Sequence, residues 1–354
     1  MRKIIYLFGA GARCNSLPTA DGMPKAMGSQ YGFIQYNITT NENGNIQTHQ
    51  PTSEMLEYVE DLKWLMNASK NHASVDTLAK KLSITGNSND LYKLKNVLSA
   101  FLSIEQYLKK IDFRYDAFLA SMLNNPHSMP EHISILSWNY DTQIETAFQF
   151  YCNQSNVINA QSALGVYQKS DYNRRGAGFS QGFGVFKVNG SSFLCKKNET
   201  RLITTYISHN NLNMFDAINE ACKNYVHFKH QQSLYMHGLS FAWEPETESS
   251  DTFIESRNWE PETASSDTII EAAKKHVREA EILVIIGYSF PFFNRDIDRQ
   301  LLGVVGMPFL KKIYFQDPNA NEIIESFSSI RNDISANSMI PIFGCKQFFL
   351  PYEL

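Results

Sequence analysis

Short apolar runs that stop at glycine or polar residues are the feature that most constrains how this chain can fold. Residues 4 to 8 form one such run before Gly9-Ala10-Gly11, and residues 281 to 286 form the strongest run before Gly287. A continuous apolar run of this length, bounded by glycine, is typical of a strand buried on both faces of a parallel sheet. We predict further strands at residues 133 to 137, 185 to 188 and 313 to 315.

Helical periodicity occupies much of the chain between these strands. From residue 53 to about 125, apolar residues recur at spacings of three and four, which predicts a helical insertion packed over the sheet. Residues 142 to 235 are predicted to form a second insertion or small subdomain. The 354 residues suit one enlarged domain spanning 1 to 354. The expected fold class is therefore α/β, a Rossmann-like parallel sheet with helices on both faces and a helical insertion.

Composition and charge exclude several classes of protein. The 43% hydrophobic content argues against general disorder. A formal net charge of −4 provides no general attraction to nucleic acid or to an anionic membrane, so direct nucleic-acid binding is not expected. No segment approaches about 18 uninterrupted apolar residues, so no membrane span is expected. The first apolar run meets glycine and Arg13 too early for a signal peptide, which favours a cytoplasmic location.

The cysteines are too dispersed to build a structural zinc site. No two of them have the spacing of two to four residues that a zinc knuckle requires. The five are Cys14, Cys152, Cys195, Cys222 and Cys345. No metal site is predicted.

A near repeat lies between residues 243 and 271. The run Trp243-Glu244-Pro245-Glu246-Thr247 returns as Trp259-Glu260-Pro261-Glu262-Thr263. One tandem duplication explains this better than a solenoid, which needs several units. The second copy predicts a helix that starts at Ser265, Ser266 or Asp267, and the repeat assigns no function.

Polar and glycine-rich loops follow the predicted strands at one edge of the sheet. Ligands of open parallel sheets bind outside the carboxyl ends of the strands. The convergence of these loops therefore predicts a nucleotide crevice. The loops are residues 9 to 18, 138 to 141, 287 to 291 and 316 to 319.

Individual residues in these loops allow two interpretations each. Gly9 and Gly11 permit close approach of backbone N–H groups to a diphosphate, but without a third glycine a plain structural turn is the alternative. Asn139 and Asp141 can point into the cleft, although Asp141 is equally suited to cap a helix. The aromatic residues Tyr288, Phe290, Phe292 and Phe293 either wall an adenine pocket or belong to the core.

Taken together, these motifs resemble the sirtuin superfamily. Gly9-Ala10-Gly11-Ala12 with Leu17-Pro18 is similar to its first nucleotide loop, Asn139-Tyr140-Asp141 to its Asn-Ile-Asp element, and Gly287-Tyr288-Ser289 to its Gly-Thr-Ser element. The sequence around residues 137 to 141 and 285 to 291 more closely resembles bacterial sirtuin-like proteins of antiphage defence. That resemblance implies NAD hydrolysis without a metal, since deacylating sirtuins normally carry a four-cysteine zinc module.

The resemblance also implies roles for individual residues. Asn139 and Asp141 would orient the nicotinamide ribose and a water, with positioning and preorganised charge supplying most of the rate acceleration. The implied NAD-binding residues are Gly9, Ala10, Gly11, Ala12, Arg13, Pro18, Asn189, Gly287, Tyr288, Ser289 and Asp317.

Two positions depart from the family pattern. Asn189 stands where the general-base histidine is expected, and asparagine takes no proton near neutral pH. His237, in a His-Gly pair, is either a substitute base from a neighbouring loop or a partly buried histidine bonded to backbone. Arg13 replaces a small hydroxyl residue, and either clamps a diphosphate or blocks the usual ligand pose.

The leading hypothesis is an NAD glycohydrolase that acts as an antiphage effector. The alternative is a non-catalytic sensor of NAD or ADP-ribose, and protein deacylation ranks third. A toxic NADase must be restrained, so we expect regulation by homo-oligomerisation or by a separate sensor or ATPase subunit.

Overall fold

The computed structural model describes residues 2–36, 38–42, 45–126, 128–154, 156–168, 182–196, 202–204, 206–207, 212–244 and 269–354. The strands of the main sheet are β1 (Lys3–Phe8), β4 (Ile133–Ser137), β5 (Val166–Gln168), β6 (Val185–Lys187), β10 (Ala280–Ile286), β11 (Lys312–Gln316) and β12 (Met339–Ile342). Within the ranges above, these seven strands run parallel in the order β12-β11-β10-β1-β4-β6-β5. The predicted α/β fold is confirmed.

The strands that surround the middle of the sheet end level with one another. Phe8, the last residue of β1, pairs with Ser137 on one side and with Ile286 on the other. Ser137 in turn pairs with Lys187. Because all these strands are parallel, the loops that follow β10, β1, β4 and β6 leave the sheet side by side at its carboxyl edge.

Helices cover both faces of the sheet, as predicted. The helices are α1 (Met23–Gln35), α2 (Ser53–Ser69), α3 (Val75–Ile84), α4 (Ser88–Lys109), α5 (Phe113–Met122), α6 (Gln143–Tyr151), α7 (Val157–Leu164), α8 (Met214–His230), α9 (Ile269–Val277), α10 (Arg295–Leu302) and α11 (Ala320–Ser328). Alternate residues of a strand point to opposite faces. Accordingly, Tyr6 and Phe8 pack with α5, α6 and α7, whereas Ile5 and Leu7 pack with α9, α10 and α11.

A helical layer with its own apolar core contains α2, α3 and α4 from the predicted 53–125 insertion. The starts of these helices are capped by Thr52, Ser74 and Asn87, whose side chains accept backbone N–H groups. The layer also includes α1 and α8, which the sequence reading did not assign to it. In contrast, α5 packs on the main sheet.

The span 142 to 235 contributes to several parts of the fold. Its first elements, α6, α7, β5 and β6, join the main sheet, and α8 joins the helical layer. An antiparallel sheet of the order β8-β7-β9 is built from β7 (Gly190–Lys196), β8 (Leu202–Thr204) and β9 (Tyr235–Leu239). The hairpin of β2 (Ile38–Glu42) and β3 (Asn45–His49) is separate.

Two further predictions concern membrane spans and the repeat. In the described ranges, no helix has the length and apolarity needed to cross a membrane. The second copy of the repeat and the helix start predicted at Ser265, Ser266 or Asp267 lie outside the described residues. The helix α10 begins at Arg295, and Asn294 makes no side-chain cap there. Its amide donates to the hydroxyl of Tyr288 at 3.1 Å instead.

Candidate functional site

A cavity of about 540 Å³ opens at the carboxyl edge of the main sheet. Its wall includes the loops that follow β10, β1, β4 and β6. β1 connects towards β4 on one side and β10 towards β11 on the other, so the cavity lies where the connections reverse direction, the usual ligand position in such sheets. The predicted site residues that line it are Ala10, Arg13, Asn139, Asn189, Gly287, Tyr288 and Ser289.

The loops after β1 and β10 touch each other through glycine. A Cβ atom added to Gly9 would lie 2.4 Å from the carbonyl oxygen of Gly287, and one added to Gly11 would lie 2.6 Å from its Cα. The N–H groups of Gly9 and Gly11 donate to the carbonyls of Ile286 and Gly287, at 3.0 and 2.9 Å. These N–H groups are therefore committed to the protein, and the two glycines allow the two loops to pack closely.

Arg13 places a buried guanidinium in the cavity wall. The residue is 3% exposed, and its Nη1 lies 3.2 Å from Oδ2 of Asp141. Among the described residues, no hydrogen-bond partner is present for its Nε or Nη1. Arg13 therefore brings a buried positive charge, paired with Asp141, to the cavity wall.

Asp141 lies behind Arg13 and is not among the described residues that line the cavity. Its Oδ1 accepts the backbone N–H of Gln143 at 3.0 Å, at the start of α6, while Oδ2 faces the guanidinium. The helix-capping interpretation therefore describes its local contacts. Asp141 therefore positions Arg13, while its expected role at the ribose stays a prediction.

A buried ion pair supports the loop after β4, which contains Asp141. Nζ of Lys187, at the end of β6, lies 2.9 Å from Oε1 of Glu145 in α6, and both side chains are almost completely buried. The same Nζ donates to the carbonyl oxygen of Asp141. The sequence reading missed this pair, since a lysine at the end of an apolar strand carries no signal of its partner.

Asn139 and Asn189 both line the cavity, but their amide groups are hydrogen-bonded to the protein to different extents. Nδ2 of Asn139 donates to the carbonyl of Gly9 at 2.9 Å, which ties the loop after β4 to the first loop. The amide of Asn189 is committed at both ends: Nδ2 donates to the carbonyl of Trp138 at 3.0 Å, and Oδ1 accepts the N–H of Ala242 at 2.8 Å. Asn189, in the position expected for the histidine, therefore acts as a structural cross-link.

Two aromatic rings form a flat part of the wall. Trp138 and Tyr288 stack with centroids 5.3 Å apart and an interplanar angle of 5°. The Tyr288 hydroxyl donates to the carboxyl group of Asp298, whose pKa is raised well above its ordinary value by burial. Phe292 and Phe293 also line the cavity, whereas Phe290 packs in the core with Phe327.

His237 lies on β9 and is not among the described residues lining the cavity. Its ring packs against Tyr92 of α4, with centroids 4.4 Å apart. Burial lowers its pKa to about 3, so the neutral ring is a very weak base near neutral pH. The structure therefore does not bring the predicted general base to the predicted site.

The remaining predicted residues also lie outside the cavity wall. Ala12 packs in the sheet core, and Pro18 is half-buried in the loop before α1. Asp317 uses Oδ1 to accept the N–H of Asn319 at 2.8 Å. The loop 316 to 319 is absent from the described lining residues, and Gln316 donates to the carbonyls of Gly344 and Gln347 in the C-terminal segment.

The helical layer supplies wall residues that the sequence reading missed. Residues 73 to 77, at the start of α3, line the cavity and include the carboxylate of Asp76. The local sequence there is an ordinary capped helix start, with Ser74 accepting the N–H of Thr77 at 3.1 Å. Only the packing of the layer against the sheet edge brings it to the site.

No family model matches the chain, and no curated protein matches it. Over the described part of the chain, no group of three or more histidine, cysteine, aspartate or glutamate residues is arranged to hold a metal ion.

Proposed function

We propose that this chain binds NAD and hydrolyses the bond between nicotinamide and ribose. The observation that carries the proposal is the cavity at the ends of four neighbouring parallel strands, with the buried guanidinium of Arg13 in its wall. An open parallel sheet binds nucleotides at this edge, and a guanidinium in the cavity wall suits a diphosphate.

The parts of the cavity correspond to the parts of a dinucleotide. Arg13, paired with Asp141, would place its positive charge beside the diphosphate. The stacked pair of Trp138 and Tyr288 offers an aromatic wall for a heterocyclic ring. Asn139 and Ser289 are polar wall residues available to ribose hydroxyl groups. The volume of about 540 Å³ lies in the ordinary range of cofactor sites.

In the proposed reaction, the bond from C1′ of the ribose to the pyridinium nitrogen breaks and its electron pair stays with nicotinamide. Positive charge builds on the ribose, and water then attacks C1′. Binding the ribose in a fixed orientation away from bulk water supplies the acceleration. Asp141 contributes by holding Arg13 in place, since the two buried charges lie 3.2 Å apart.

Release of nicotinamide from NAD by the purified chain tests the proposal. The wild type, at high enzyme concentration and with any native activator, is expected to release nicotinamide. Asn139→Ala is expected to reduce the rate by about 10²-fold, because it removes a wall contact and loosens the first loop. Asn67→Ala, at an exposed position of α2, is the matched control and should retain full activity.

A wild-type protein that releases no nicotinamide under any of these conditions contradicts the enzymatic proposal. The second candidate is then a sensor that binds NAD or ADP-ribose without turnover. Two observations favour this sensor. Both amide atoms of Asn189 are already hydrogen-bonded to backbone groups, and His237 is not among the described residues that line the cavity. Calorimetry that detects tight ADP-ribose binding without hydrolysis would establish it.

The biological setting is part of the same proposal and depends on the resemblance to sirtuin-like defence proteins. We propose a cytoplasmic antiphage effector, restrained by homo-oligomerisation or by a sensor or ATPase subunit. Mass photometry of the chain alone, and with the product of a neighbouring gene, tests this. Protein deacylation is the weakest alternative, because the five cysteines are dispersed, and an acetylated peptide should remain unmodified.

A further inference from the structure

Asp76 is a carboxylate in the cavity wall that none of the sheet loops supplies. It lies in the first turn of α3, in the helical layer, and lines the same cavity as Arg13 and Asn139. The other carboxylate among the described lining residues is Asp21, which is exposed in the loop before α1. Asp76 is therefore the better enclosed of the two.

A hydrogen bond ties Asp76 to the motif after β4. The hydroxyl of Tyr140, a buried residue next to Asn139, donates to Oδ1 of Asp76. The backbone N–H of Asp76 itself also donates to this carboxylate. The carboxylate is thus held in place at the cavity wall.

The groups that face Asp76 come from three other elements. They are the Tyr140 hydroxyl after β4, the guanidinium of Arg13 after β1, and the Tyr288 hydroxyl after β10, whose own pKa is raised in part by the charge of Asp76. Burial is the largest influence and raises the pKa of Asp76 above its usual 3.8, while Tyr140 and Arg13 act in the opposite direction. A carboxylate with a raised pKa is a stronger base than an ordinary one.

The described residues that line the cavity include no histidine. Asn189 takes no proton and has both amide atoms engaged by backbone groups. A hydrolase that uses this cavity consequently needs its proton acceptor from another element.

We propose that Asp76 is this acceptor, a catalytic residue supplied by the helical layer that deprotonates the water attacking C1′ of the nicotinamide ribose. This inference rests on the proposed NAD hydrolysis. The C1′–N bond breaks and its electron pair leaves with neutral nicotinamide; the water oxygen bonds to C1′; and the water proton passes to the carboxylate of Asp76, then to solvent. NAD⁺ and water thereby become ADP-ribose, nicotinamide and one proton.

A purely structural role for Asp76 is the alternative. An acidic residue in the first turn of a helix stabilises it through the helix dipole. Asp90 lies in the first turn of α4, where it accepts a hydrogen bond from the Asn87 side chain at 2.7 Å, and it is half-buried and absent from the described lining residues. It therefore provides the matched control for a substitution at a helix start.

The test compares Asp76→Asn with Asp90→Asn in nicotinamide release across a range of pH. Asparagine keeps the size of the side chain and still accepts from Tyr140, so the fold should be retained. For Asp76→Asn we expect kcat to fall by about 10²-fold or more while KM changes little. The acidic limb of the kcat/KM profile should also disappear. Asp90→Asn should match the wild type in rate and pH profile.

A second variant distinguishes loss of the catalytic carboxylate from misfolding of the site. Asp76→Ala should bind ADP-ribose in calorimetry and regain part of its activity when formate, a small carboxylate, is added. If the wild type hydrolyses NAD and Asp76→Asn retains its kcat and acidic limb, the role of Asp76 is refuted while the proposed function stands. If the wild type releases no nicotinamide, the proposed function fails first, and this inference with it.

Discussion

Replacing Gly287 by alanine tests whether the cavity depends on contact between two loops. Gly287 has φ of +61°, a conformation that costs an alanine roughly 1–2 kcal/mol. An added Cβ would also lie 2.3 Å from Cα, 2.6 Å from C and 2.7 Å from N of Gly11. Because all three are backbone atoms, no side-chain rotation relieves the overlap, and the first loop must move away.

Gly86 separates the two contributions. Its φ of +69° is nearly the same, but nothing lies within 4 Å of an added Cβ. Gly86→Ala therefore bears the conformational cost alone. Overpacking typically costs about 1–3 kcal/mol, so the free energy of unfolding should be lower for Gly287→Ala than for Gly86→Ala by about that amount.

Denaturant unfolding followed by circular dichroism measures this difference, provided that the slope with denaturant is unchanged between the variants. Calorimetry with ADP-ribose adds a functional readout, since displacement of the first loop moves Ala10 and Arg13. Gly287→Ala should bind ADP-ribose more weakly than Gly86→Ala. Equal stabilities for the two variants would refute the reasoning that close loop contact requires glycine here.

Two further predictions concern stability. Lys187→Met leaves Glu145 charged and buried without its ionic partner, so the free energy of unfolding should fall by about 3–5 kcal/mol. The double variant with Glu145→Leu should recover most of this loss. A Lys187→Met variant as stable as the wild type contradicts the ion-pair assignment. Burial lowers the pKa of His276 to about 4, below its unfolded value of 6.5. The unfolded chain therefore binds a proton more readily than the folded one, so the free energy of unfolding is highest above pH 6.5 and falls as the pH drops towards 4. His276→Gln should flatten the decline in unfolding free energy over that window, and an unchanged pH dependence would argue against a buried neutral ring.

Local sequence patterns located five of the seven described strands of the main sheet and the loops of its edge, but not β5 or β12. The apolar runs that became β1, β4, β6, β10 and β11 lie within one residue of their predicted ends. Continuous apolar runs bounded by glycine report burial and chain reversal, both of which are local properties. Parallel pairing then brings the following loops to one edge, so the cavity region was predictable from the sequence.

The roles of individual atoms in those loops were not predictable. The N–H groups of Gly9 and Gly11 bond to the loop after β10, and Asp141 lies behind Arg13 instead of facing the ligand space. Both outcomes depend on which backbone and charged groups come to lie opposite each other. A periodic pattern does not specify such pairs, because their partners are more than one hundred residues away along the chain.

The sequence by itself determined the parallel sheet, the helices on its faces and the edge at which a ligand would bind, because the alternation and length of apolar runs follow from burial alone. Only the tertiary structure decided that the helical layer contributes Asp76 to that edge and that His237 packs away from it against Tyr92. The physical reason is that a side chain's partners are set by how whole layers pack, and this packing depends on the combined shape and charge of distant segments.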